Sequence, residues 1–141
     1  MSASTALYLL DYVDLGGGET SFLAFIEEWL REVPAVRPVV VVPGEGPVGR
    51  ALGELGVEAR VIAYPRRLRR GPLPWFSLGA AKEIEALARR IQPSIIHANN
   101  FFGLLYAGLA AAAALAFASA LAFSAPSRAS TSAASAGWIL P

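Results

Sequence analysis

The chain has 141 residues, long enough for one domain with its own core, and its 12 basic and 11 acidic side chains leave a formal charge of +1, so no global field points to nucleic acid. It contains no cysteine and one histidine, His97, which excludes disulfides, thiolate nucleophiles and both cysteine- and histidine-rich metal clusters. The N-terminal "MSASTALYLLDYVD" lacks a basic segment and its short apolar run ends in acids, so it does not read as a signal peptide and the expected location is the cytoplasm.

In chain order, "ALYLLDY" (Ala6–Tyr12) reads as a short apolar strand. "TSFLAFIEEWLREV" (Thr20–Val33) reads as a helix. Phe22, Leu23, Ile26, Trp29, Leu30 and Val33 recur at helical spacing, and Thr20 or Glu19 stands where a helix start favours an oxygen or an acid. "RPVVVVP" (Arg37–Pro43) is a continuous β-branched run of the kind buried on both faces of a parallel sheet. A short helix follows over Gly46–Gly56, closed by Gly56, and then an alternating strand over Val57–Pro65. An amphipathic helix spans Ser77–Pro93, with Ile84, Leu87 and Ile91 on one side. "SIIHA" (Ser94–Ala98) is a further strand, and Asn99 or Asn100 is the candidate cap of a last helix beginning "NNFFGLLYAGLAAA".

Strict β-α alternation predicts an α/β fold: a Rossmann-like parallel sheet of four strands with helices on both faces. Ligands of such sheets bind at the carboxyl ends of the strands. The places to look are therefore Asp11–Glu19, Pro43–Gly46 and His97–Phe101. At the first, "LGGGET" puts three glycines between strand and helix, where backbone and helix N-terminus can approach a phosphate. The run lacks a P-loop lysine. It is also a poor dinucleotide fingerprint, because Ser21 takes the place of the third glycine. A tight turn with no ligand stands equally open.

The order of motifs resembles the N-terminal domain of the GT-B glycosyltransferases of the family-4 type. "LGGGETSFLAFIEEWL" is similar to that family's Gly-Gly-x-Glu loop and first helix, "RPVVVVPGEGPVGRALGELGVEARVIAYP" to its second strand through third strand, and "LARRIQPSIIHANN" to its Arg-Pro-Asp-Val-Val-His-Ala-His stretch. Ser94 replaces the Asp and Asn99 the second His. The resemblance covers roughly Ala6 to Ala112. It implies an acceptor-side domain of an enzyme that transfers a sugar from a nucleotide-sugar donor, which is a substrate and not a cofactor, to a sugar or lipid-linked acceptor. Gly17 and Gly18 would face the cleft near donor phosphates and acceptor, Glu19 would fix the loop, and Asn99 and Asn100, just past His97, would line the acceptor side.

Several residues have a plainer reading. His97 is either a hydrogen-bonder to an acceptor or a strand-end histidine held in the core. Asp11 and Asp14 flank the bend and are expected to be solvated or to cap the turn, with no catalytic role. "YPRRLRRGPLPWF" sets Arg66, Arg67, Arg69 and Arg70 before Trp75, which suits either an anionic lipid surface or a solvated loop with paired arginines.

After Arg90 the only charged side chain is Arg128, and from Ala111 the chain is mostly alanine and serine. The expected organisation is a Rossmann-like domain over residues 1–112 and a low-complexity tail over 113–141. A shifted reading frame in a GC-rich gene, or a disordered tail, would produce that composition. On this reading the donor domain and the acidic pair of its sugar site are missing, and the chain alone is inactive. Two other classes remain: a stand-alone nucleotide-binding module using Gly16–Glu19 and Glu45, and an interaction protein anchored by the apolar run Gly103–Phe123.

Overall fold

The computed structural model describes residues 4–65 and 76–124. The elements alternate as β1 (Ser4–Leu9), α1 (Gly17–Glu32), β2 (Val36–Val42), α2 (Pro47–Glu54), β3 (Glu58–Val61), α3 (Leu78–Ile91), β4 (Ile95–Ala98) and α4 (Phe101–Ser124). All three strand pairings are parallel, and the spatial order is β3-β2-β1-β4. The chain thus steps outward from β1 to β3 and then crosses back to lay β4 on the other side of β1. That reversal is a topological switch point, where neighbouring loops diverge and leave a crevice at the carboxyl ends.

Alternating side chains of the central strands divide the core in two. Leu7, Leu9, Val39 and Val41 pack with Ile84, Leu87 and Ala88 of α3 and Tyr106, Ala107 and Ala110 of α4. Ala6, Tyr8, Leu10, Val40 and Val42 pack with Phe22 and Ile26 of α1 and Val48 and Leu52 of α2. The period of two in "ALYLL" and "VVVV" therefore serves opposite faces, as a doubly covered sheet requires.

Several boundaries differ from those the sequence suggests. Strand β1 runs from Ser4 to Leu9, although the Leu10 N–H still donates to the Val41 carbonyl at 3.0 Å. Helix α1 begins at Gly17, three residues before Thr20, with Gly16 as its N-cap and no side-chain cap bond. Strand β3 ends at Val61 instead of reaching Pro65, although the Ile62 N–H still donates to the Val42 carbonyl at 3.0 Å. Helix α4 continues through Ala112 to Ser124, across the change in composition. Gly56 closes α2 with φ 72°, the left-handed geometry expected of it. Among the described residues, no helix is long and apolar enough to cross a membrane. The arginine cluster Arg66–Arg70 with Trp75, and the tail beyond Ser124, lie outside the described residues.

The two edges of the sheet are unlike. On the β3 side, Glu58 lies between Arg37 and Arg60 in a surface ion-pair cluster. Strand β4 carries Ile95-Ile96-His97-Ala98 with no charged side chain, and Ile95 is 46% exposed. Charges blunt edge-to-edge pairing, so β4 is the unguarded edge. Ile95→Lys should reduce concentration-dependent association in light scattering while changing stability by no more than about 0.5 kcal/mol. Association unchanged by this substitution would show that the β4 edge is not its cause.

Candidate functional site

The carboxyl end of β1 continues into Leu10 and Asp11. Asp11 is 1% exposed, and its carboxylate accepts the N–H groups of Phe102 at 2.8 Å and Gly103 at 2.7 Å. These are orphan donors of the first turn of α4, so Asn100 stands at the N-cap position, its carbonyl accepting the Leu104 N–H, while the side-chain acceptor comes from a loop some 90 residues earlier in the chain. Gly103 makes the approach possible. A Cβ there would stand 3.2 Å from Asp11 Oδ1 and 3.3 Å from the Leu9 carbonyl oxygen. Burial pushes the Asp11 carboxyl above its ordinary pKa. The Phe102 and Gly103 N–H groups oppose that rise, and the charge of Glu19 adds to it.

The glycine loop is held from two further sides. A Cβ on Gly46 would lie 2.6 Å from the Val13 carbonyl oxygen, so only glycine lets the β2–α2 loop close on the β1–α1 loop. The Val48 N–H donates to the same Val13 carbonyl at 3.1 Å. Glu19 is buried in the first turn of α1, and its carboxylate folds back under Gly16. A carboxylate at that point complements the positive helix end. Gly17 and Gly18 are exposed, and a Cβ on either would meet nothing within 4 Å. The first helical bond runs from the Thr20 N–H to the Gly16 carbonyl, so the N–H groups of Gly17, Gly18 and Glu19 precede the helical ladder.

Because β4 pairs with β1, His97 and Ala98 lie beside Tyr8 and Leu9, and the Asn99 N–H donates to the Leu9 carbonyl at 2.9 Å. This register brings Asn99 into the same groove as Gly18 of the glycine loop. His97 is exposed and not in the core. Its ring stands 5.7 Å from that of Tyr8. The two sit in a groove of about 520 Å³ lined by Tyr8, Phe22, Phe25, Trp29 and Ile95, with Gly18, Ser21, His97 and Asn99 supplying its polar groups. Asn100 is half-buried, and its carbonyl accepts the Leu104 N–H. The groove thus joins three of the sequence's candidate residues, Gly18, His97 and Asn99, while Gly17 and Asn100, their neighbours in the chain, are not among its lining residues. Glu19 lies beneath as a support.

Sequence reading missed the aromatic wall. Phe22 and Trp29 pass for ordinary members of a core stripe, and Tyr8 for a strand residue. Phe25 was the available signal, an aromatic residue off the stripe and 45% exposed. Glu45, weighed as a ribose-binding acid, is exposed in the β2–α2 loop. Among the described residues no group of three His, Cys, Asp or Glu side chains could hold a metal ion. A second depression of about 410 Å³, lined in part by Arg60, Glu83 and Arg90, lies between β3 and α3.

The sequence profile of Glycosyltransferase Family 4 matches residues 15–120, from the glycine loop through most of α4. The chain belongs to glycosyltransferase family 4. No curated protein matches it. A crystal structure of MurG from Acinetobacter baumannii is similar in fold, with a TM-score of 0.55 at 15% sequence identity over 77% of this chain and 32% of the MurG chain. The chain thus spans about a third of that enzyme's length. The family-4 chain is an N-terminal domain of the GT-B type, a Rossmann-like sheet that corresponds to part of the GT-B architecture.

Asp11→Ala should destabilise the family-4 domain by about 1–3 kcal/mol, because two buried N–H groups lose their acceptor. The pH dependence has a defined sign. The folded Asp11 carboxyl has the higher pKa, so its linkage contribution is present below the ordinary carboxylate range and is lost as pH rises through the raised value. Thermal unfolding from acid to neutral pH should therefore show the stability advantage of wild type over Asp11→Asn shrinking as pH rises. An advantage that grows with pH would mean that the N–H bonds outweigh burial.

Proposed function

We propose that this domain is the acceptor side of an enzyme that moves a sugar from a nucleotide-sugar donor onto an acceptor. The supporting observation is the crevice at the β1/β4 switch point, where Gly18, His97 and Asn99 converge in a chain that belongs to family 4. Gly17 and Gly18 have no side chain to keep a donor diphosphate away, and the N–H groups at the start of α1 face the side on which it would arrive. His97 and Asn99 offer hydrogen-bonding groups to acceptor hydroxyls. Glu19 and Asp11 are buried and act by fixing the loops.

Transfer between two substrates needs both held in one cleft, and on the acceptor-side reading this domain supplies one wall of it. On this reading a donor-binding domain supplies the other wall, and the acceptor-side domain by itself is expected to be inactive. It works in the cytoplasm, and the stretch with Arg66, Arg67, Arg69, Arg70 and Trp75 holds it against an anionic membrane face.

The test is transfer from a panel of nucleotide-sugars, first by the chain alone and then with a family-4 donor-binding domain supplied in trans. No transfer alone and measurable transfer in the mixture is the expected result. Tight binding of free nucleotide by the chain alone, with no transfer in the mixture, would favour a stand-alone nucleotide-binding module. Gly18→Ala separates function from folding. Its Cβ enters open space on a helix, so stability should rise by up to about 1 kcal/mol while transfer in the mixture falls. Transfer left intact by Gly18→Ala would remove the glycine from the donor site.

A further inference from the structure

The ladder between β1 and β2 lacks a rung just before Asp11. The Leu10 N–H donates to the Val41 carbonyl at 3.0 Å, so in a parallel ladder the Leu10 carbonyl would next meet the nitrogen of residue 43. That residue is Pro43, which has no N–H to give. A buried carbonyl needs a donor, and here the Tyr64 hydroxyl supplies it. Tyr64 is itself buried, and its ring stands 5.0 Å from that of Tyr106, one turn past Gly103 on α4. Tyr106 is held in turn. Its hydroxyl accepts the Ser77 N–H at 2.8 Å, and its ring stacks on Phe76 at 5.5 Å. Ser77 is the N-cap of α3, with its Oγ accepting the Ala80 N–H at 3.3 Å.

We propose that Tyr64 and Tyr106 form a bracket that positions Asp11 under α4 and so ties the shape of the crevice to the start of α3. The peptide unit joining Leu10 to Asp11 is planar, so holding the Leu10 carbonyl sets the orientation of the Asp11 backbone. The carboxylate is then aimed at the Phe102 and Gly103 N–H groups. Tyr106 holds the helix that carries those donors, and the ring contact keeps the two tyrosines at a fixed separation. Acceptor and donors of the Asp11 contact are thus each governed by one tyrosine. The described ends of the β3–α3 connection, Tyr64 on one side and Phe76 and Ser77 on the other, both belong to the bracket. Opening at the start of α3 is therefore felt at Asp11, although neither tyrosine is among the lining residues of the groove. Tyr64 and Tyr106 are positioning residues, and the bracket acts whatever the crevice binds.

Native-state amide hydrogen exchange of the full chain, read residue by residue by NMR, tests this. In the wild type the Ser77, Phe102 and Gly103 amides should open as one unit, with protection within about threefold of one another and the same response to low denaturant. Tyr64→Phe keeps the ring and removes only the donor. It should lower protection at Phe102 and Gly103 by about tenfold, because the Leu10 carbonyl is left buried without a partner, while the Val40 and Ile84 amides change by less than about threefold. The amide-proton resonances of Phe102 and Gly103 should move upfield as their bonds to the carboxylate weaken. Tyr106→Phe removes the acceptor of the Ser77 N–H and should loosen the same two amides. The double variant should be no looser than the looser single variant, because the two tyrosines act as a unit. A uniform loss of protection across the domain would reduce Tyr64 to a stability residue and overturn the bracket. So would unchanged protection at Phe102 and Gly103, effects of the two variants that simply add, or a wild-type Ser77 amide that opens separately from them. The wild-type reading needs no variant to fold.

Discussion

The Asp11 carboxylate, closed on two N–H groups of α4, is the interaction on which the arrangement of this domain turns. It joins the end of the central strand to the start of the last helix, and those two elements bound the crevice at the switch point. The contact follows from alternation, since Asp11 stands two residues after Leu9 on the face that packs against α4, and it requires that Gly103 lack a side chain. A buried carboxylate is costly without donors, and two well-directed N–H groups offset much of that cost. Glu19, the other buried acid, adds a like charge nearby. The glycine loop thus rests on two acids whose mutual repulsion is tolerated because each meets the N-terminal end of a helix.

This anchoring explains why the exposed glycines can remain bare. Val13 is locked against Gly46, and Glu19 lies under Gly16, so the loop has a defined course without any packing by Gly17 or Gly18. Rigidity comes from beneath and accessibility is kept above. The same division recurs in the groove. Tyr8 and Phe22 are buried and belong to the core, whereas Phe25 and Ile95 extend the same apolar surface outward to solvent. The groove is therefore an open margin of the core, which gives its wall a fixed shape without a lid.

Element order was legible from periodicity because the chain is regular: β-branched runs for strands, an apolar stripe for α1 and α3, and glycines at the turns. Which strands are neighbours was not legible. Nothing local in "SIIHA" says that it pairs with β1, and it is this pairing that moves His97 out of the core reading and brings Asn99 beside the glycine loop. The role of Asp11 was hidden for the same reason, since its partners lie in α4, far along the chain. Local rules assign an acid before glycines to the nearest turn, and here a tertiary contact prevailed. The motif order that resembles family 4 carried more information than any single motif, because it encodes the crossover from β3 back to β4 that local propensity cannot.

On the proposed reading, the β1/β4 crevice is where this domain meets its acceptor. Backbone amide NMR during titration with a glycoside acceptor tests it most directly, since it reports every position at once and needs neither donor nor turnover. The account predicts shifts concentrated in residues 17–21 and 95–100, with the β3–α3 depression around Arg60 and Arg90 unmoved. Shifts centred on that depression, or on the Glu45 loop with the β1/β4 crevice silent, would contradict it.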